Sequence, residues 1–339
     1  MSLDRRSWLL GAGAGLAAPG LARAQGGPAR PPYKIFMILF RGWEEACNGF
    51  RDYFRYRGID VEFIVRDADQ NLPRVTEFVR EANETRPDLV YLWGTGTTAA
   101  ALGPWNGTDN RRFLRDIPTV FNIVTNPVGT GVVRSLESPG REATGTVYVV
   151  PTEVQYNSMR AYRPFQRVAA IYNPQEPNSR LVIDEMKGLT SQHGATLVDL
   201  PVTLNASGRP DPASIPGLVE AARRAEAQWL YIPPDTFLND HRAVLTDVAL
   251  AQHLPTFAAT ERFVIFADGL SGLVCRYYNI GAFTAFKAEQ ILVQGRPASS
   301  IPVETLNRFS LLVRFQSARA LRFYPPMSMV RYAEAAGQG

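Results

Sequence analysis

The residues of this chain best suited to chemistry gather in short loops: Arg41-Gly42-Trp43-Glu44, Gly94 to Thr98, Thr125-Asn126, Asn173 to Ser179, Pro234 to Thr236 and Thr260-Glu261. Small hydroxyls, amides and glycines dominate them. Such residues leave backbone N–H groups free at the positive ends of helices, an arrangement that suits a carboxylate. Thr97, Thr98 and Ser179 read equally well as helix N-caps. Trp43, Phe237, Tyr277 and Tyr278 fall in or beside the same loops, where an aromatic ring either lines a site or packs in a core. Asp235, after two prolines, either holds an ammonium group or caps a helix. Arg276 either pairs with a surface acid or presents a bidentate fork to an anion.

Signatures of catalysis are thin. His193, His241 and His253 lack metal-ligand spacing, and surface or capping roles fit them. There is no G-x-S-x-G elbow. Gly94-Thr95-Gly96 lacks both the third glycine of a dinucleotide fingerprint and the lysine of a phosphate loop. Nothing here demands an enzyme, a cofactor or a metal.

These loops need a scaffold, and strand and helix signals alternate along the chain. The run KIFMILF at residues 34–40 has strand length and is apolar throughout, as in a strand covered on both faces. A helix over 44–57 ending at Gly58 follows, then a strand at 61–65, a helix at 71–85 and a strand at 89–93. Strands at 118–124 and 144–150 close the first run, the latter at Pro151. The pattern restarts with a strand at 168–172, a helix at 179–193, a strand at 196–201, a helix at 215–225 and a strand at 229–232. A helix from 236 to about 253 and a strand at 255–258 complete it. Parallel strands need helical crossovers, so two such runs imply two doubly wound α/β lobes. A strand at 272–276, a helix at 281–293 and a strand at 309–315 form a tail long enough to cross back between lobes.

The N-terminus reads as an export signal. Asp4-Arg5-Arg6-Ser7-Trp8-Leu9-Leu10 sets paired arginines before an apolar stretch, and Ala22-Arg23-Ala24 forms a small-x-small cleavage site. The arginine pair and the weakly apolar middle fit a twin-arginine address; an ordinary secretory signal is the alternative. The processed chain then begins near Gln25 and works in the periplasm. Arg5, Arg6 and Arg23 against Asp4 account for half of the +4 net charge. The remainder is too small to argue for nucleic acid. No apolar run reaches the roughly 18 residues of a spanning helix. Cys47 and Cys275 fit two buried thiols better than a disulfide.

Several stretches resemble a family of bacterial ABC-transporter substrate-binding proteins that includes tryptophan- and tyrosine-binding members. They are PDLV at 87–90, IPTVFNIVTNPVGTGVV at 117–133, SLESPGREATG at 135–145, IYNPQEPNS at 171–179, IPPDT at 232–236, YYNIG at 277–281, and GRP at 295–297 leading to IPVE at 301–304. The resemblance implies a type I periplasmic-binding fold, two doubly wound parallel-sheet lobes joined by hinge crossings. The lobes divide as 33–149 with 278–300, and 150–277 with 301–339, after a signal at 1–24 and a linker at 25–32. It also implies a small-molecule ligand held between the lobes of a monomer, with a partner permease and ATPase. By position, the family's ligand loops fall here on Trp43, Glu44, Thr95, Gly96, Thr97, Thr125, Asn126, Asn173, Glu176, Asn178, Ser179, Asp235, Thr236 and Tyr277. Two departures stand out: the family usually has aspartate where this chain has Asn126 and Arg276. Losing two acids and gaining a base shifts a cleft toward anions, and so from a simple zwitterion toward aromatic or other organic acids. A periplasmic receptor serving a membrane sensor kinase is the alternative on the same fold.

Overall fold

The computed structural model describes residues 31–107, 112–114 and 116–337. The expected export signal at 1–24 and most of the expected linker lie outside the described residues. Eight elements build the first lobe: β1 (Tyr33–Leu39), α1 (Glu45–Arg57), β2 (Val61–Asp67), α2 (Leu72–Thr85), β3 (Leu89–Trp93), α3 (Thr95–Leu102), β4 (Thr119–Val124) and β5 (Ala143–Val147). Their strands pair in parallel in the order β2-β1-β3-β4-β5. The apolar run at β1 is explained by its two faces. Ile35, Met37 and Leu39 enter one core with Phe50 and Phe54 of α1. Phe36 and Ile38 enter another with Val75 and Val79 of α2. Side chains alternate across a strand, so a strand covered on both sides has no polar position to spare.

The chain continues through α4 (Thr152–Tyr162), β6 (Arg167–Tyr172), α5 (Pro177–Gln192), β7 (Thr196–Pro201), α6 (Ile215–Arg224) and β8 (Trp229–Ile232). It then runs through α7 (Thr236–Asp240), α8 (Arg242–Ala251), β9 (Thr256–Ala258), α9 (Arg262–Ile265), β10 (Ser271–Val274), α10 (Tyr277–Leu292), β11 (Ser310–Val313), α11 (Phe315–Leu321), α12 (Met327–Val330) and β12 (Ala333–Ala335). The second sheet has the order β12-β11-β10-β9-β8-β6-β7, and only the β10–β11 pairing is antiparallel. Its first five strands repeat the winding of the first sheet.

The structure corrects several sequence expectations. Helix α4 was not anticipated, because the residues it buries are Thr152, Gln155, Tyr156, Met159 and Tyr162. Their spacing is helical, but most are not aliphatic. The helix expected from 236 to 253 is two, since the backbone at His241 (φ −103°, ψ 20°) leaves the helical region. Strand β10 stops at Val274, and α10 begins at Tyr277 instead of residue 281. The signal for that start is distant in sequence: the Glu261 carboxylate accepts the Tyr277 N–H at 3.2 Å.

Helix α10 follows the second sheet in the chain yet packs on the first, its Ile280, Ala285 and Ala288 joining the α1 core. The two helices meet backbone to backbone. A Cβ on Gly281 would lie 1.9 Å from the Ala46 carbonyl oxygen, and one on Gly49 equally close to that of Tyr278. The chain therefore passes between the sheets after β5, after β10 and before β11. The last crossing is laced to the first lobe by Val147 N–H to Glu304 O (2.9 Å) and Lys287 Nζ to Glu304 Oε2 (2.6 Å). Cys47 and Cys275 are both buried free thiols in the α1–α10 core.

Gly281→Ala should cost about 3 kcal/mol or more, because backbone, not a flexible side chain, occupies the space. Gly188→Ala, on α5 with nothing within 4 Å, should instead gain roughly 0.5–1 kcal/mol. Urea denaturation of the two variants checks the contrast.

Candidate functional site

In open parallel sheets the carboxyl ends of the strands, where the winding reverses, are where loops and helix N-termini diverge to leave a crevice. Here both reversals, β1/β3 and β6/β8, open onto one cavity of about 990 Å³. The first sheet supplies Phe40 and Arg41 after β1, Trp93 to Gly96 at β3, Ile123 in β4 and Tyr148 after β5. The second supplies Asn173 and Glu176 after β6, Asp235 to Phe237 after β8, Thr260 after β9 and Tyr277 after β10.

On the second wall, two acids converge on the start of α7. Asp235 Oδ1 accepts the Leu238 N–H (2.9 Å), while Oδ2 accepts from the Asn173 N–H (2.7 Å) and the Ser179 hydroxyl (2.9 Å). Glu176 accepts the N–H groups of Thr236 and Phe237 at 2.9 and 3.0 Å. Asp235 thus caps the helix, and its oxygens are spoken for before any ammonium arrives. Burial first, and the charge of Glu176 second, push the Asp235 carboxyl up to about 7.

The first wall is basic and aromatic. The side chain of Arg41 is only 9% exposed; its Nε donates to Glu44 Oε1 at 3.1 Å and its guanidinium lies 4.9 Å from the Trp93 ring centre. Tyr148 and Tyr277 meet edge to face at 5.6 Å, and burial raises the pKa of both hydroxyls, so they remain protonated donors. Ile123 adopts φ 55°, a left-handed conformation unusual for a β-branched residue, at an irregularity in the β4–β5 pairing. Asn122 holds it there, its Oδ1 accepting the Ile123 N–H (2.7 Å) and its Nδ2 donating to the Tyr91 hydroxyl (3.0 Å).

Two contacts span the cavity. Arg262 Nη1 of α9 reaches the same Glu44 Oε1 at 3.2 Å, and Gln70 Nε2 donates to Asp240 Oδ2 at 3.0 Å.

Of the residues singled out in the sequence, Thr95, Gly96, Asn173, Glu176, Asn178, Asp235, Thr236 and Tyr277 line this cavity. Thr125 and Asn126 line a separate one of about 620 Å³ behind the crossing strands. Asn126 there organises a turn, its Oδ1 accepting the Gly129 N–H (2.7 Å). Trp43 lies outside both cavities, 39% exposed, its Nε1 donating to Asn48 (2.8 Å). Glu44 sits behind Arg41 rather than on the lining. Thr97 and Ser179 lie inside the first turns of α3 and α5, whose N-caps are Gly94 and Glu176, so neither is a cap. Thr98 bonds back to the Gly94 carbonyl (2.7 Å) and is no cap either.

Arg276 is not brought into the cavity: it pairs with Glu261 at 2.5 Å and Glu334 at 2.7 Å. The two departures read as shifting the cleft toward anions therefore leave its lining charge unchanged. Of the three arginines that do line it, Arg180 and Arg209 are exposed and Arg41 is largely buried; Arg41 stood in a recognised loop, but only its juxtaposition with Trp93 marks it out. Trp93 and Tyr148 gave no sequence signal beyond that of a buried strand. Among the described residues no group of three or more His, Cys, Asp and Glu could hold a metal ion, and no helix is long and apolar enough to cross a membrane.

Residues 39–336 match the family of ABC transporter substrate binding proteins, and the chain belongs to that family. It is 23% identical to a tyrosine-binding protein of Clostridioides difficile over 81% of this chain and 73% of that one. Among solved structures, a conserved domain protein from Vibrio cholerae aligns with TM-score 0.77 and 22% identity, over 91% of this chain and all of the other. A Streptococcus pneumoniae ABC domain in complex with L-Trp aligns with TM-score 0.73 and 19% identity, over 89% of this chain and all of the other. The fold is thus that of the type I periplasmic-binding proteins.

The raised Asp235 carboxyl gives a signed expectation. The folded protein keeps this proton after the unfolded chain has released it near pH 4, so this group's contribution to stability falls as pH rises from about 4 to about 7. Asp235→Asn keeps the shape without the proton. The stability difference, wild type minus variant, should decline across that window in urea titrations.

Proposed function

We propose that this protein is the periplasmic solute-capturing component of an ABC importer, taking a small organic solute, an aromatic amino acid or related organic acid, into the cavity between its lobes. The observation that carries this reading is the single cavity fed by the strand ends of both sheets. Its volume suits a metabolite, and its lining mixes aromatic rings with a few fixed polar groups, as ligand sites do. The three chain crossings serve as the hinge, and the lobes shut over the ligand by rotating about them. Glu44–Arg262 and Gln70–Asp240 are contacts of the closed form. A tyrosine-binding relative and a structural neighbour in complex with L-Trp support an aromatic body for the solute.

Residues 1–24 act as the export signal, and the processed chain works as a monomer that hands its solute to a membrane permease driven by an ATPase. No step of this cycle needs chemistry at the ligand.

Native mass spectrometry of the protein purified from the periplasm should find a bound metabolite, and small-angle scattering should show contraction when it is restored to stripped protein. A shape indifferent to every metabolite would end the proposal. Arg262→Gln removes one bracing contact, so its unliganded radius of gyration should exceed that of the wild type.

A further inference from the structure

The cavity lining is unbalanced in a way that bears on which solutes it accepts. Glu44 is the carboxylate shared by Arg41 and Arg262. Arg242 lies close enough that its pKa is lowered, by burial first and then by Arg262 and Arg41. Two guanidinium groups therefore share that one acid, with a third near enough to feel their charge. Only Nε of Arg41 is engaged, so its two terminal nitrogens are uncommitted in a residue that lines the cavity. Beneath it, the Trp93 Nε1–H is buried without a partner, in a lining residue only 3% exposed. An orphaned buried donor costs about 1–3 kcal/mol unless something fills it. Beside both, helix α3 opens with Thr95 and Gly96 on the lining, its first N–H groups unpaired within the helix.

The opposite wall offers an ammonium group nothing comparable. Asp235 and Glu176 are consumed by the start of α7 and by Asn173 and Ser179. Asp240 already accepts from Gln70, and Asp184 is exposed at the rim. Among the residues that line the cavity, the buried cation has open valences while the buried acids have none; Glu44, whose Oε2 also lacks a partner, lies behind Arg41 and off the lining.

We infer that Arg41 and the Trp93 Nε1–H anchor the carboxylate of a monoanionic aromatic or otherwise apolar acid, and that the site prefers such an acid to the corresponding zwitterion, amide or amine. This rests on the proposal that the cavity binds a solute, and it narrows the class of that solute. Arg41 fixes the anion through a two-pronged bond. The apolar body lies against Phe40, Ile123, Tyr148 and Phe237.

Calorimetric titration with a matched set tests it: phenylacetate, phenylacetamide, 2-phenylethylamine and L-phenylalanine, with the indol-3-yl series alongside. Wild type should bind a carboxylate about 10- to 100-fold more tightly than its amide, amine or amino acid partner, the worth of a charge-assisted bond. Arg41→Gln should erase that preference. Arg41→Lys, which keeps the charge and loses the fork, should recover part of it. Trp93→Phe, which keeps a ring, should weaken the carboxylate alone, and melting curves should show each variant folded. If a neutral, cationic or zwitterionic partner binds as well as the carboxylate, or Arg41→Gln changes nothing, the inference falls while solute capture stands. If no compound binds and scattering shows no contraction with any of them, both fall together.

Discussion

The architecture depends on one close approach, that of α1 to α10 through Gly49 and Gly281. A helix reached only after the second sheet is nearly complete must return and cover the first. Contact at backbone distance fixes its rotation and height. That placement sets Tyr277 at the helix start, where its ring faces Tyr148 and its N–H meets Glu261. The crossings, the seam of cavity residues and the burial of Cys47 and Cys275 all follow from the same docking.

Electrostatics divides the cavity along the same line. One helix start on the second lobe absorbs two carboxylates, because a cluster of free N–H groups is the cheapest place to leave buried negative charge. The first lobe keeps a buried arginine stacked on tryptophan and gives it half of a carboxylate. Glu44, braced between Arg41 and Arg262, is thereby both a structural counter-ion and a contact across the gap.

Much of the fold was legible because buried parallel strands leave a strong mark. KIFMILF at 34–40 could hardly be anything else. Helix α4 escaped notice because Thr152, Gln155 and the tyrosines carry its helical period without an aliphatic among them. The start of α10 was misplaced because its cap, Glu261, comes from another loop. Loops at strand ends were found from topology alone, which brought Thr95, Asn173, Glu176, Asp235 and Tyr277 to notice. What a loop residue does could not be read that way. Trp43 and Arg276, the most conspicuous side chains in the sequence, turned outward to other partners, while Arg41 gained its place from Trp93, a residue that looked like plain core.

The returning helix also governs how the chain can be built. A polypeptide emerging from the ribosome has all five strands of the first sheet by Val147, but one face, covered until then by α1 alone, lacks the rest of its cover until Leu292. The second sheet likewise waits for Ser310–Val313 to pair with β10. Neither half can finish early and shelter while the other is made. Assembly is a late event for both, and a truncation before Leu292 leaves two unfinished bodies instead of one good one.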